Sequence, residues 1–289
     1  MGKFTVPISV GIPTYGRGLR VVQTVRKILA CDPGPKEVLI HIDEPNGQLE
    51  AELRAICPSI TVLVSSKRIG PGGGRHRCIQ LSSQPIFASF DDDSWPVDDD
   101  FFANVMTVFA RSPDAGALAS VIYTRGDVCP VRTDQTEAVA DYVGCGYAVR
   151  KEAYNATWGH IDRACAYGIE EVDISMQLHA LGWKILQCGR LRVFHDTQML
   201  HHATASTVAG TIENVALRAF LRYPVTLWPY GAMQVGSAVF DAVRRGRFRG
   251  LTTGLGSIPL TLAKHRGYRH PLPADKIRSY LQARHALPK

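Results

Sequence analysis

Short hydrophobic runs alternate with helical stretches over the first hundred positions of the chain. β-Branched and other apolar residues cluster in four places, which predicts strands at 6–12, 37–43, 60–65 and 86–90. Apolar positions spaced three and four apart predict a helix over 19–30, and a short helix is expected over 75–81. Strands and helices that alternate at this length predict an α/β fold, a Rossmann-like, mostly parallel sheet with helices on both faces. Ligands of such sheets bind beyond the carboxyl ends of the strands.

The pattern is less regular after residue 100. Strands are expected at 117–123, 142–149, 184–186 and 191–194, and helices at 172–181 and 207–221. The longest uncharged stretch, residues 223–240, contains two prolines and two glycines. It is therefore predicted to be a poor helix, and it is shorter than the roughly 20 apolar residues of a membrane span. The opening residues lack the apolar core of a signal peptide, so secretion is not expected.

Charge is unevenly distributed along the 289 residues. Lys and Arg number 17 against 22 Asp and Glu up to residue 180, and 16 against 4 afterwards, which gives the net charge of +7. An acidic first part followed by a basic tail indicates a metal-using region joined to a segment that meets anions. A hydrophobic fraction of 45% excludes a disordered chain. The seven cysteines include no C-x-x-C pair, so they are interpreted as reduced cytosolic thiols.

Three consecutive aspartates, Asp91, Asp92 and Asp93, follow the strand predicted at 86–90. Their charges repel each other unless a divalent cation offsets them, and carboxylate oxygens suit Mg²⁺ and Mn²⁺. The alternative is a solvated acidic turn, because three more aspartates follow at 98–100. The spacing excludes an EF-hand, which needs a glycine at the sixth loop position and a terminal glutamate.

A glycine-rich segment, Gly70–Gly74, precedes the aspartates and is flanked by Lys67, Arg68, Arg75 and Arg77. We expect a flexible loop whose backbone N–H groups and guanidinium groups lie near a diphosphate. It is neither a Walker A loop nor a Rossmann fingerprint, because the closing residues of both motifs are missing. A glycine-rich turn on its own is often only a turn. A basic loop together with metal-binding carboxylates indicates a nucleotide diphosphate.

Six motifs, taken in this order, resemble those of family 2 glycosyltransferases with the GT-A fold. They are PISVGIPTYGR, EVLIHIDEPNG, RIGPGGGRH, FDDDSWPVDDDFF, VGCGYAVRKEAY, and YGIEEVDISMQLHALGWKI followed by VFHD. The resemblance implies a catalytic domain over 1–200, with a nucleotide-sugar half at about 1–100 and an acceptor half at about 101–200. Residues 201–289 are expected to form a helical, basic C-terminal region.

The resemblance assigns roles to residues on the donor side. It implies that the nucleotide is bound by Pro13, Thr14, Tyr15, Arg17, Asp43, Arg68, Arg75, Asp91 and Asp92, with Asp43 at the edge of the base and Arg75 near the diphosphate. Asp93 is the implied metal ligand, and His195 is a further metal or diphosphate contact, with a structural histidine as the alternative. The implied cofactor is Mn²⁺ or Mg²⁺. Arg68 and His76 replace asparagines that are frequent in the family, which leaves the sugar and the base open.

Glu171 falls where the family carries its general base, usually an aspartate, at the start of a helix. The helix dipole would keep this carboxylate ionised and able to accept a proton from an acceptor hydroxyl. Glu170 and Asp173 are alternative bases, and a surface pair that only complements the dipole is the structural alternative. The resemblance places Gly144, Glu170 and Trp183 on the acceptor or sugar side, with packing as the alternative for Trp183.

The resemblance therefore implies a metal-dependent, inverting hexosyl- or deoxyhexosyltransferase that moves a sugar from a nucleotide-diphosphate sugar to a hydroxyl acceptor. The context that it implies is bacterial cell-surface polysaccharide or glycolipid synthesis, in the cytoplasm or peripherally on the inner face of the plasma membrane. A sugar-1-phosphate nucleotidylyltransferase and a nucleotide-binding protein of the same fold without catalytic activity are the alternatives. Because no nucleic-acid-binding motif is present, a nucleic-acid partner is not expected.

The basic tail carries arginines and lysines from Arg244 to Arg269, with apolar residues between them. This mixture is typical of a surface that rests on an anionic bilayer, which would bring the enzyme to a lipid-linked acceptor. The apolar residues expected at the bilayer are Phe248, Leu251, Leu255, Ile258, Leu260 and Leu262. The alternative is a solvated basic helix pair that covers the catalytic sheet.

Overall fold

The computed structural model of the chain describes residues 4–57, 59–165, 168–197 and 204–286. In these residues, one sheet is surrounded by helices. The strands are β1 (Thr5–Thr14), β2 (Gly34–Ile42), β3 (Thr61–Val64), β4 (Ile86–Phe90), β5 (Ser94–Pro96), β6 (Ala115–Thr124), β7 (Thr136–Val139), β8 (Gly146–Arg150) and β9 (Lys184–His195). The helices are α1 (Gly18–Ala30), α2 (Gly47–Ile56), α3 (Gly70–Leu81), α4 (Phe101–Arg111), α5 (Lys151–Asn155), α6 (Glu170–Ala180), α7 (Ala205–Arg222), α8 (Trp228–Arg244), α9 (Leu251–Lys264) and α10 (Ala274–Ala286).

The sheet has the strand order β3-β2-β1-β4-β8-β6-β9-β5, with β7 also paired to β9. Strands β1 to β4 are parallel, β8 is antiparallel to both β4 and β6, and β9 is parallel to β6. The predicted mostly parallel α/β sheet with helices is thereby confirmed. Strands β1, β2 and β4 are apolar over most of their length because helices cover the sheet on both sides.

The sheet brings four chain segments to the same edge. Strand β1 lies between β2 and β4. The chain passes from β1 to β2 and β3 on one side of this strand, and β4 then lies on its other side. A crevice forms at such a switch point, beyond the carboxyl ends of the strands. The residues that end or directly follow these strands are therefore brought together: Thr14 at the end of β1, Asp43 after β2, Asp91 after β4 and His195 at the end of β9.

Several predicted elements differ from those observed. The helix expected over 75–81 begins at Gly70, so the predicted glycine-rich loop is the first part of α3. Strands expected at 184–186 and 191–194 form the continuous strand β9. The stretch predicted to be a poor helix contains most of α8, which is stabilised by packing of Gly231 against Ala219 of α7. Tertiary packing outweighs the low helix propensity of glycine there.

The C-terminal helices pack directly on the catalytic half. Arg222 of α7 donates two hydrogen bonds to Asp173 of α6, Nε to Oδ1 at 2.5 Å and Nη2 to Oδ2 at 2.9 Å, and both side chains are almost fully buried. Helix α10 also packs on α6 through Ile277 and Tyr280. The domain boundary expected at residue 200 lies outside the described residues. None of the helices in the described part of the chain is long and apolar enough to cross a membrane.

Candidate active site

A cleft of about 410 Å³ opens at the edge where the strands end. It is lined by most of the residues that the sequence singles out: Pro13, Thr14, Tyr15, Arg17, Asp43, Arg68, Asp91, Asp92, Asp93, Glu170, Glu171 and His195. Arg75, Gly144 and Trp183 do not line it. The cleft also includes residues that sequence analysis missed, among them Pro71, Val143, Cys145, Ala164, Gly168 and Thr197. Pro71, Val143, Cys145 and Gly168 lie within three of the six motifs, and Ala164 and Thr197 lie close to motifs, which is the signal the sequence offers for them.

The three aspartates have different surroundings. Asp92 points inward, where it accepts hydrogen bonds from Thr14 Oγ1 at 2.8 Å and from Arg17 at 3.2 Å. Burial raises the pKa of Asp92 to about 6, against the opposing effects of Arg17 and Thr14. Asp93 accepts from Arg17 at 2.6 Å and lies 3.1 Å from Nε2 of His195. Asp91 is the most exposed of the three side chains.

Asp91, Asp93 and His195 form a cluster that fits a divalent cation. One ligand atom from each lies within 4.8 Å of the others. Burial alone would raise the pKa of Asp93, but the His195 hydrogen bond and the charges of His195, Arg17 and Arg20 hold it below its usual value. Burial lowers the pKa of His195, but the two aspartates outweigh this effect and raise it. Two carboxylates and one imidazole suit Mn²⁺, and the oxygen ligands also suit Mg²⁺.

Arg75 lies beneath the cleft, and this position differs from the predicted one at the diphosphate. Its side chain is 2% exposed and every nitrogen donates to the protein. It contacts Asp91, donates to Glu170 Oε1 at 2.7 Å, and donates to the carbonyl oxygen of Gly144 at 3.0 Å. The position of Arg75 on the inner face of α3 explains this burial. Arg75 therefore holds two carboxylates of the site in place from below.

Asp43 also has a different contact from the predicted one. Its two carboxylate oxygens accept hydrogen bonds from the backbone N–H groups of Ile69 at 2.7 Å and Gly70 at 2.8 Å. It thus caps the N-terminus of α3, where backbone N–H groups have no partner within the helix. The glycines of α3 allow close packing: a Cβ at Gly74 would lie 2.6 Å from Nδ1 of His41. Gly70 and Pro71, at the beginning of this segment, line the cleft.

Glu170 and Glu171 begin α6 and line the cleft. Oε1 of Glu171 accepts a hydrogen bond of 3.1 Å from the backbone N–H of Gly144. Oε1 of Glu170 accepts from Arg75, and its Oε2 atom has no partner among the described residues. Burial raises the pKa of both glutamates, against the pull of Arg75. The helix dipole is expected to favour the ionised form of Glu171, but burial acts in the opposite direction and favours the protonated form.

Gly144 contacts both of these charged groups through its backbone. A Cβ at this position would lie 2.7 Å from Oε1 of Glu171 and 3.0 Å from a guanidinium nitrogen of Arg75. Its backbone N–H and carbonyl oxygen hold the two side chains instead. Gly144 is thus placed to position Glu171, and it does not line the acceptor side as expected.

Tyr15 and Arg68 form the outer wall of the cleft. The guanidinium carbon of Arg68 lies 3.9 Å from the centroid of the Tyr15 ring, and this ring is exposed. A flat guanidinium–aromatic pair at the mouth of a cleft offers a stacking surface for a planar group.

Trp183 lies at the opposite edge of the sheet. It directly precedes β9, close to Gly116 at the beginning of β6, and packs against the core. Strands β6 and β9 are parallel, so their first residues lie at the edge away from the cleft. The packing alternative for Trp183 is the one observed, and the predicted acceptor-side position is wrong.

Three comparisons with known proteins bear on this site. The sequence profile described as glycosyl transferase family 2 matches residues 9–166. The mannosyltransferase PcManGT from Pyrobaculum calidifontis, in complex with GDP-Man and Mn²⁺, is similar with a TM-score of 0.60 and 15% identity over 98% of this chain and 87% of that chain. GalNAc-T7 with UDP, GalNAc and Mn²⁺ is similar with a TM-score of 0.58 and 14% identity over 74% of this chain and 48% of that chain. This chain thus matches about half the length of GalNAc-T7. Curated protein sequences give no match.

Proposed function

The chain belongs to glycosyltransferase family 2 and has the GT-A fold, and on this premise we propose that it transfers a sugar from a nucleotide-diphosphate sugar to a hydroxyl group with inversion at the anomeric carbon. The observation that carries the proposal is that the cluster of Asp91, Asp93 and His195 shares one cleft with Glu171. A departing diphosphate requires positive charge, and an attacking hydroxyl requires a base. This cleft offers groups for both tasks.

Asp91, Asp93 and His195 would hold Mn²⁺ or Mg²⁺. Both similar structures contain Mn²⁺, and the mixed oxygen and nitrogen ligands of this chain fit that ion. When bound, the cation would stabilise the negative charge that grows on the departing diphosphate. Because every nitrogen of Arg75 donates to the protein, phosphate oxygens would be contacted by Arg68 and by Arg17, whose Nη1 atom also donates to Asp92 and Asp93.

Glu171 would act as the general base. Its carboxylate faces the cleft and is oriented by the N–H of Gly144. Glu170, in contrast, is bound to the buried guanidinium of Arg75. A carboxylate whose pKa is raised by burial accepts a proton more readily than an exposed one. Glu171 would take the proton of the acceptor hydroxyl while its oxygen attacks the anomeric carbon from the face opposite the leaving group.

The nucleotide would bind along the loop after β1. Pro13, Thr14 and Tyr15 line the cleft there, and the Tyr15–Arg68 pair offers a stacking surface for the base. Both carboxylate oxygens of Asp43 are used by α3, so Asp43 would shape the base pocket as the cap of this helix. We propose Asp91 and Asp92 as neighbours of the ribose or sugar.

We propose that residues 1–200 form the catalytic domain, which contains all of these residues. Residues 201–289 would form a C-terminal region that supports this domain. The sugar would be a hexose or deoxyhexose, and the acceptor would belong to cell-surface polysaccharide or glycolipid synthesis. A lipid-linked acceptor would place the enzyme at the cytoplasmic face of the plasma membrane.

The proposal is tested by a thermal-shift screen with Mn²⁺ or Mg²⁺ and UDP, GDP, CDP or dTDP. The diphosphate that stabilises the protein most identifies the base, and nucleotide sugars of that base are then assayed for transfer and slow hydrolysis. We expect one base to raise Tm only when the metal is present. The proposal is wrong if no diphosphate shifts Tm and no nucleotide sugar is consumed. Release of pyrophosphate from a nucleoside triphosphate and a sugar phosphate would instead identify a nucleotidylyltransferase.

A further inference from the structure

Helices α8 and α9 leave apolar side chains uncovered on the outside of the molecule. Both helices pack on α7, through Gly231 and Gly254 respectively. On their outer faces, large apolar residues are exposed at a density unlike the rest of the described chain: Met233, Phe240, Val243, Phe248, Leu255 and Leu260. Phe240 is 68% exposed, Phe248 62% and Leu260 74%. A concentration of exposed large apolar residues on neighbouring elements of the chain is typical of a binding surface.

Positive charge accompanies these apolar residues. Residues 225–266 contain six Lys and Arg but a single acidic residue, Asp241, which pairs with Arg245 at 2.9 Å. Among the described residues, no acidic partner lies within ion-pair distance of Arg244, Arg247 or Arg249. Arg247 and Arg249 flank Phe248 in the turn between the helices, and Arg244 is the last residue of α8. The face formed by α8, this turn and α9 is therefore both cationic and apolar, and we refer to it as the basic face.

The turn of the basic face packs on the N-terminal end of α7. Gly250, which ends the turn, lies against the backbone of Ala205 at the first residue of α7, with no room for a side chain between them. Gly210, one and a half turns further along α7, is similarly close to Cys165. Ala164, which directly precedes Cys165, lines the cleft. The turn between α8 and α9 thus lies at the end of α7 that faces the active site.

We infer that the basic face rests on an anionic lipid bilayer, with Phe240 and Phe248 in the head-group layer and Arg244, Arg247 and Arg249 against the phosphates. Charge selects this partner over a second copy of the chain, because two such faces would repel each other. Interfacial helices combine this arrangement of arginines and large apolar residues. Of the six apolar residues that the sequence analysis expects at the bilayer, Phe248, Leu255 and Leu260 are exposed, and Leu262 packs inward.

Vesicle co-sedimentation with the full-length protein tests this inference. Vesicles contain phosphatidylcholine alone or phosphatidylcholine with phosphatidylglycerol. We expect binding only to the second kind, and binding that weakens as salt shortens the Debye length from about 10 Å at 0.1 M to about 3 Å at 1 M. Each basic residue at an anionic surface strengthens binding about fivefold, so replacing Arg244, Arg247 and Arg249 by Gln should weaken it about 10²-fold.

Further variants separate the contribution of the arginines to vesicle binding from that of the apolar side chains. The matched control replaces three exposed basic residues elsewhere, Lys27, Lys36 and Arg54, by Gln and should bind vesicles almost normally. Phe240→Ser combined with Phe248→Ser should weaken binding to anionic vesicles, whereas Leu81→Ser, at an exposed position on α3, should not.

Three outcomes would overturn the inference. The first is equal loss of binding in the control and in the arginine variant, and the second is no binding by wild-type protein at low salt. The third is a concentration-dependent dimer that Phe240→Ser abolishes, which would assign the face to a second copy. Metal-dependent binding of a nucleoside diphosphate, measured on every variant, shows that the fold is intact. It also separates failure of this inference from failure of the proposed transfer reaction.

Discussion

Arg17 donates a hydrogen bond of 2.6 Å to Asp93, the carboxylate that also lies 3.1 Å from His195. A guanidinium therefore neutralises the carboxylate proposed to hold the divalent cation. Arg17 and the cation would compete for the same oxygen atoms.

Replacing Arg17 by Gln is expected to lower the stability of the metal-free protein and to strengthen its binding of Mn²⁺. Without metal, Tm should fall because Asp92 and Asp93 lose a compensating charge. With Mn²⁺ alone, affinity should rise, by about fivefold at most, since a partly exposed ion pair contributes no more than about 1 kcal/mol. Calorimetric titration with Mn²⁺ measures this, with Arg26→Gln on the exposed side of α1 as the control. Weaker Mn²⁺ binding in Arg17→Gln would show that the two do not compete.

Asp93→Asn is expected to abolish the metal-dependent binding of nucleoside diphosphate and to keep the fold. The residue accepts hydrogen bonds at the cleft and adds nothing to the hydrophobic core. Thermal shift with and without Mn²⁺ measures both properties. Asp99→Asn, at an exposed position on the same chain segment but next to Asp32 at the other edge of the sheet, is the control and should behave as wild type. Retained metal-dependent affinity in Asp93→Asn would remove Asp93 from the site.

Glu171→Gln is expected to lower transfer by about 10²- to 10⁴-fold with nearly normal donor binding, because a lost general base affects the chemical step. The glutamine keeps the shape, and its oxygen can still accept from Gly144. Initial rates at saturating donor and a donor titration measure the two effects. Glu170→Gln provides the comparison: it should disturb the Arg75 contacts and weaken stability before it affects the chemical step. If Glu170→Gln removes transfer and Glu171→Gln does not, the two roles are exchanged.

The pH dependence of transfer should reflect the burial of Glu171. Its pKa is raised from the ordinary 4.5, and the base works only when deprotonated. Transfer should therefore fall as pH falls through this raised pKa, at a higher pH than for an exposed glutamate. The pH profile of kcat/KM for the acceptor reports the free enzyme. The residual activity of Glu171→Gln should not show this fall at low pH. If kcat/KM of the variant still falls at low pH, a group other than Glu171 causes the fall.

Arg222→Met is expected to destabilise the protein by about 3–5 kcal/mol, because it leaves the buried carboxylate of Asp173 without its partner. Urea unfolding measures the free energy of unfolding. Arg245→Met breaks the exposed pair with Asp241 and should cost less than about 1 kcal/mol. Similar losses in the two variants would contradict the structural role assigned to the buried pair.

Much of the site was predictable because its residues follow strand ends. The strand at 86–90 matches β4 residue for residue, and Asp91, Asp93 and His195 meet as the parallel topology requires. The contacts of Asp43 and Arg75 were not predictable. Both depend on helix α3, whose glycines have poor helix propensity and whose N-terminus is stabilised by a carboxylate 27 positions away in the sequence. Local patterns do not contain such long-range compensation.

The buried pair of Asp173 and Arg222 has a consequence for where the reaction occurs. Helix α6 begins with Glu170 and Glu171, and two residues after Glu171 the side chain of Asp173 joins α6 to α7, on which the helices of the basic face pack. If that face lies on lipid, a rigid frame fixes the height of Glu171 above the bilayer. The protein would then select acceptors whose hydroxyl group lies at one fixed distance from the membrane plane.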